Sequence, residues 1–317
     1  MKLGLRAGLI TGILVLCVVI AVAAHFGKAE EYGKLLERAQ PAWLALALVL
    51  QFSTYVCAGA VWQRALARQG HHRSLLQMVR LGVVKLFMDQ AVPSAGISGN
   101  VLVARALGHR GLSHAQAVAT VLAGLISFYI ANGIAVGGAL AILWLTGRVS
   151  RFITLLATGF AAVLALFLVG ILWLTRSRKR VPKWVHKIKP LEKFLSSIGE
   201  RPPHVVRDAV FLTQGTAIQL VLIALDAATL WAVLQSLGTG ISAAGALAAY
   251  TMASVVAMLS LLPGGLGSFD GMAIAMLRAF RVPLEAAVAG TVLLRGLTFI
   301  LPLVPGFFLA RAEALKS

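Results

Sequence analysis

The stretch Leu261–Gly271, "LLPGGLGSFDG", separates two runs apolar enough to lie in a membrane. Pro263 has no backbone N–H, Gly264, Gly265 and Gly267 have no side chain, and Asp270 carries charge. Hydrocarbon holds no water to satisfy a broken backbone. Irregular chain therefore persists at membrane depth only when it is packed in protein or lines a cavity. The expected solution is a re-entrant hairpin: one helical arm in, a broken tip near the midplane, and one arm out on the same side.

The rest of the chain agrees with a membrane setting. Of its 317 residues, 59% are hydrophobic and 13% charged, and the mean hydropathy is +0.87. A soluble domain carries about 25% charged residues. Apolar runs of the roughly 20 residues that a span requires recur at Gly8–Phe26, Ala42–Trp62, Val118–Leu145, Phe152–Leu174, Ala209–Leu237 and Ala286–Ala310. The expected fold class is all-α, a polytopic membrane helix bundle of about six full spans plus two re-entrant hairpins. The first run follows Lys2 and Arg6 and reads as an uncleaved signal anchor. Cys17 and Cys57 lie inside separate spans and read as small apolar residues.

A net charge of +18 raises the question of nucleic acid, and its location answers against it. Ten Lys/Arg and only Glu192 and Glu200 lie between Arg176 and Arg207, within one loop. The positive-inside rule places that loop in the cytoplasm. Within it, Trp184, Ile188, Leu191 and Leu195 form a stripe flanked by lysines, a pattern suited to anionic headgroups.

A second interrupted segment resembles the first. Leu75–Val92 carries Arg80, Lys85 and Asp89 and breaks at "PSAGISGN", as Gly245–Leu262 breaks at "PGGLGS". Short apolar arms follow, Val101–Leu107 and Met272–Phe280, each ending in a basic turn. Pro93 and Pro263, Ser98 and Ser268, Leu107 and Leu277, and "AVA" at 117–119 and 287–289 all stand 170 positions apart. This spacing indicates an internal repeat within one integral membrane domain (1–317). Its first hairpin is expected at about 74–112, the basic loop at about 176–207 and the second hairpin at about 241–283. Three spans between the hairpins make the repeats inverted, a transporter design with its site between discontinuous helices. Both termini are then cytoplasmic, in the cell inner (plasma) membrane.

The tips carry the candidate chemistry. Ser268 reads as a helix N-cap, with Asp270 in the first turn, and Ser98 and Asn100 as caps of the partner arm. Helix starts present N–H groups and partial positive charge, and the tip glycines allow close approach, so the tips read as anion-binding. Arg295 and Asp226 lie deep in spans, where charge is costly. They either pair with one another or belong to a substrate or proton pathway. Lys85 and Asp89 read as an i,i+4 ion pair. The candidate substrate-binding set is Ser98, Gly99, Asn100, Arg105, Gly264, Gly265, Gly267, Ser268, Asp270 and Arg295. Asp226 and Asp270 are the candidates for proton coupling. With four Asp, seven Glu and no nucleophile, phosphate-loop or metal-ligand motif, neither enzymatic activity nor a cofactor or metal is expected.

The C-terminal segment "LLPGGLGSFDGMAIAMLRAFRVPLEAAVAGTVLLRGLTFILPLVPGFFLA" resembles the transmembrane, flippase-like region of lysylphosphatidylglycerol synthases and their stand-alone relatives. Pro263, Gly264, Gly265 and Gly267 match that family's turn, Asp270 holds a position usually occupied by Glu, and Arg295 matches an Arg. "AVPSAGISGNVLVARALGHRGLSHAQAVA" resembles its first-half motif, with Asn100 in place of an acidic residue and Val103 in place of a basic one. The resemblance implies translocation of a phospholipid or lipid-linked anionic intermediate, without the aminoacyl-transferase domain of the larger relatives. The expected partner is a membrane lipid with an anionic headgroup. A second copy of the chain and a membrane-bound lipid-modifying enzyme are the protein partners considered. An ion-coupled carrier of a small soluble anion and a non-transporting accessory subunit are the alternative functions.

Overall fold

The computed structural model of the chain describes residues 39–91, 97–176, 204–260 and 262–314. The signal anchor, Cys17, Pro93 and the Trp184 stripe fall outside these residues. The described part is helical throughout: α1 Pro41–Ala67, α2 Leu75–Ala91, α3 Ile97–His109, α4 His114–Leu145, α5 Arg151–Arg176, α6 Ala209–Ser236, α7 Ala243–Ser260, α8 Ser268–Ala279, α9 Leu284–Arg295 and α10 Leu301–Ala314. Short 3-10 turns cover His204–Arg207 and Pro263–Gly265, and a π-helical turn, Gly296–Ile300, joins α9 to α10.

The helices are sorted for lipid. On α1, Leu46, Val49, Phe52 and Val56 form an exposed stripe at helical spacing, whereas Gln51 and Thr54 are buried. Polar groups inside and apolar groups outside invert the soluble pattern, as a hydrocarbon solvent requires. Five helices among the described residues are long and apolar enough to cross a bilayer: α1, α4, α6, α7, and α9–α10 taken together. The chain is a multi-pass membrane protein.

Two details add to the sequence reading. Its 18 residues give α7 a length of about 27 Å, more than a half-helix reaching the midplane needs. Trp62, at the end of the second apolar run, is only 7% exposed and packs in the core with Leu66 and Val118.

The repeat is visible in backbone hydrogen bonds. At the base of the first hairpin, Gly111 N–H donates to Gly108 O and Leu112 N–H to Leu107 O. At the second, Arg281 N–H donates to Arg278 O and Val282 N–H to Leu277 O, each partner 170 positions on. Both turns need a left-handed residue, Gly111 (φ 89°) in the first and Arg281 (φ 65°) in the second. Arg281→Gly is therefore expected to stabilise the protein by about 0.5–1 kcal/mol, the left-handed penalty less glycine's chain entropy. Thermal unfolding of the purified protein checks this, and an unchanged or lower midpoint would contradict it.

The repeat extends back to α1 and α6 with a different offset. Gly70 (φ 79°) and Gly238 (φ 73°) end these two helices with matching bonds, Gly70 N–H to Ala67 O and His71 N–H to Leu66 O in one, Gly238 N–H to Gln235 O and Thr239 N–H to Leu234 O in the other, all 168 positions apart. Two extra residues have therefore entered the second hairpin. The equivalent helices α1 and α6 run antiparallel along their full length. Gln40 N–H donates to Ser236 O at one end, and Arg68 pairs with Asp208, the α6 N-cap, at the other. That hydrogen bond from Arg68 is the main cause holding the Asp208 carboxyl below its usual range. Because equivalent helices point in opposite directions, the two halves are inverted with respect to each other.

Each half also embraces the other. Gly306 of α10 lies so close to α2 that an added Cβ would meet Phe87 Cβ at 2.6 Å. Likewise α7 packs on Val136, Ala139 and Leu143 of α4. Each hairpin thus leans on the closing helix of the opposite repeat.

Candidate functional site

The second hairpin closes where Ser260 Oγ meets Ser268 Oγ at 2.8 Å. Gly264 and Gly265 sit in left-handed conformations (φ 58° and 63°), and an added Cβ would lie 2.4 Å from Phe299 and from Ala257 respectively. The N-cap of α8 is Gly267, not Ser268. Ser268 is the first helical residue, and its hydroxyl donates to Gly265 O at 3.1 Å. Asp270 accepts the Gly267 N–H at 2.9 Å, so a carboxylate of the protein itself already occupies this helix start.

Arg295 holds the tip from the last helix. Its Nε donates to Asp270 Oδ1 at 2.8 Å, its Nη1 to Gly264 O at 2.9 Å and its Nη2 to Gly265 O at 3.0 Å. The guanidinium also lies over the Phe269 ring, 4.4 Å from its centroid. Arg295 does not pair with Asp226. The planar fork of arginine serves two carbonyls and a carboxylate at once, which no lysine geometry reproduces.

The arms of the first hairpin are joined by other means. Lys85 Nζ lies 2.6 Å from Asp89 Oδ2, as the i,i+4 spacing suggests, and Asp89 Oδ1 accepts the Gly99 N–H at 3.0 Å. Gly99 is a contact residue for Asp89, because a Cβ there would lie 2.2 Å from that oxygen. Ser98 and Asn100 fall within α3 rather than capping it, and Arg105 is exposed about 9 Å further along that helix.

The two tips converge on the last helix. Pro302 has no N–H to donate, so the chain slips to a π turn in which Leu301 N–H reaches back to Gly296 O. The carbonyls that Pro302 leaves unserved are taken by neighbours. Tyr55 Oη donates to Leu297 O at 3.3 Å, and Gln90 Nε2, from the end of α2, donates to Thr298 O at 3.5 Å. The structure thus brings Gly264, Gly265, Gly267, Ser268, Asp270 and Arg295 together, with Gln90 of the first hairpin one turn away.

Asp226 belongs to a different cluster. Tyr250 Oη donates to Asp226 Oδ2 at 2.9 Å, and on α1 the buried Gln51 donates its Nε2 to Thr54 Oγ1 at 3.0 Å. Sequence reasoning passed over Gln51, Tyr55, Gln90 and Tyr250. A glutamine inside an otherwise apolar span was the available signal for Gln51.

A family model described as "Lysylphosphatidylglycerol synthase TM region" matches residues 9–306. A UPF0104 membrane protein of Methanothermobacter thermautotrophicus is 27% identical, over 90% of this chain and 90% of that protein. A UPF0104 membrane protein of Methanocaldococcus jannaschii is 23% identical, over 97% of this chain and 95% of that protein.

Proposed function

We propose that this chain, which belongs to the lysylphosphatidylglycerol synthase transmembrane-region family, moves a phospholipid or lipid-linked anionic intermediate across the membrane. The convergence of two helical hairpins from inverted halves on Arg295 and the π turn carries this reading. Inverted repeats with broken helices are a recurrent transporter architecture. The headgroup passes between the hairpin tips while the lipid chains stay in the bilayer, against the exposed apolar stripes. Asp270 stands in for the anion at the α8 start, so a phosphate competes with that carboxylate for Arg295 and for the first-turn N–H groups.

A reconstitution assay tests it. Liposomes carrying a fluorescent anionic phospholipid are expected to exchange that lipid between leaflets well above the rate of protein-free vesicles. Inorganic phosphate flux without lipid exchange would replace this reading with a soluble-anion carrier. Exchange only in the presence of a copurifying lipid-modifying enzyme would make the chain an accessory subunit.

A further inference from the structure

We propose that Arg148, Arg278 and Arg281 form a docking site for the anionic headgroup of a membrane lipid at the base of the second hairpin. The repeat supplies the first observation. Arg278 and Arg281 stand where the first half has Gly108 and Gly111, 170 positions earlier, and the two turns make matching backbone bonds. The turn itself therefore needs neither arginine. At Arg281 it is the worse choice, because the backbone there is left-handed (φ 65°) and glycine adopts that conformation freely. A side chain retained at that backbone cost has its use outside the turn.

Arg148 brings a third guanidinium to the same place. It follows α4, whose other end starts at the base of the first hairpin. Its Nε donates to Ala279 O at 2.8 Å, and its guanidinium carbon lies 4.7 Å from the centre of the Phe280 ring. Arg278 Nη1 donates to Val282 O at 3.1 Å, which draws that side chain to the same turn. The ion pairs among the described residues include none of the three. With Arg151 at the α5 start, four arginines stand with one acidic residue, Glu285, along 146–151 and 278–285.

The surroundings select a lipid rather than a free anion. Trp144, 74% exposed, and Phe152, 60% exposed, flank Arg148 in the chain, and the exposed Leu284 follows Arg281. Exposed apolar side chains interleaved with arginines belong at the boundary between hydrocarbon and headgroups. A lipid phosphate is held at that depth, and each guanidinium offers it a planar pair of donors. Headgroup docking stands without the lipid-transport reading. Its use as the point where a lipid enters the second hairpin rests on that reading.

Quenching of tryptophan fluorescence in vesicles tests the site. The full chain is reconstituted in phosphatidylcholine containing a minor fraction of phosphatidylglycerol with brominated chains. The signal of Trp144, which shares a turn with Arg148, is the difference between the parent and Trp144→Phe. It is expected to report a preference of about tenfold or more for the brominated phosphatidylglycerol over brominated phosphatidylcholine at the same fraction. Arg281→Gly keeps the turn and is expected to lower that preference about fivefold, the weight of one basic residue at a lipid surface. Adding Arg278→Gln lowers it further. Equal quenching by the two lipids, or a preference unchanged in Arg281→Gly, would overturn the proposal. Abolition of the preference by millimolar inorganic phosphate would assign the arginines to a soluble anion and overturn it as well. A preference retained in vesicles that show no lipid exchange between leaflets would leave the docking site standing and remove the entry role.

Discussion

Arg295→Ala is expected to release the second hairpin tip and cost about 3–5 kcal/mol, the range for breaking a buried ion pair on one side. Three groups lose their partner together: the Asp270 carboxylate and the carbonyls of Gly264 and Gly265. Asp270 is left charged beside Phe269, with the Gly267 N–H as its remaining bond among those it makes here. Arg295→Lys retains the charge but serves one acceptor where the fork served three, so an intermediate loss follows. The double variant Arg295→Met, Asp270→Leu removes both charges and is expected to recover part of the stability, although the two carbonyls stay unserved. Thermal unfolding of the purified variants measures all three. An Arg295→Ala protein that melts with the parent would remove Arg295 as the latch of the tip.

The second large effect lies at one of those acceptors. Gly265→Val is expected to destabilise by about 2–5 kcal/mol, combining the left-handed penalty with overpacking. Its Cβ would lie 2.4 Å from Ala257 Cβ and 3.2 Å from Ala257 Cα, on the opposing arm of the same hairpin. The arms must part, and the Ser260–Ser268 contact goes with them. Gly267→Ala is the control. That residue is also left-handed (φ 74°) but faces open space, so it is expected to lose about 1 kcal/mol, the backbone cost alone. Equal midpoints for the two variants would show that the close approach to α7 carries no energy.

Much of this architecture was legible because membrane depth leaves few options. Apolar length alone located α1, α4, α6 and the last helix, and Pro263 with its glycines located the second tip. The 170-residue spacing was readable because Pro, Ser and the "AVA" triplets survive at irregular positions. The pairing of α1 with α6 was not readable. Two added residues in the second hairpin shift that offset to 168, and apolar helix surfaces tolerate many exchanges. The roles within the site were harder still. Sequence spacing gave Lys85–Asp89, a pair within one helix, but Arg295–Asp270 is set by a hairpin folding back on the final helix. An arginine 25 positions from one carboxylate and 69 from another carries no local sign of which it meets. The π turn escaped for a similar reason. Pro302 predicts a broken bond, yet which neighbours serve the freed carbonyls is decided by packing.

At the position 170 residues before Arg295 stands Leu125, on the closing helix of the first half, whose apolar side chain has no hydrogen bond to offer. Suppose the two halves trade poses, the motion an inverted duplicate permits. The exchanged state then lacks a three-acceptor clasp that the original possesses. At about 3 kcal/mol the disfavoured pose is occupied roughly once in 150 molecules. If the proposed transport proceeds by such an exchange, the resting molecule favours one side of the bilayer, and binding of the transported ligand is the input that tips it to the other.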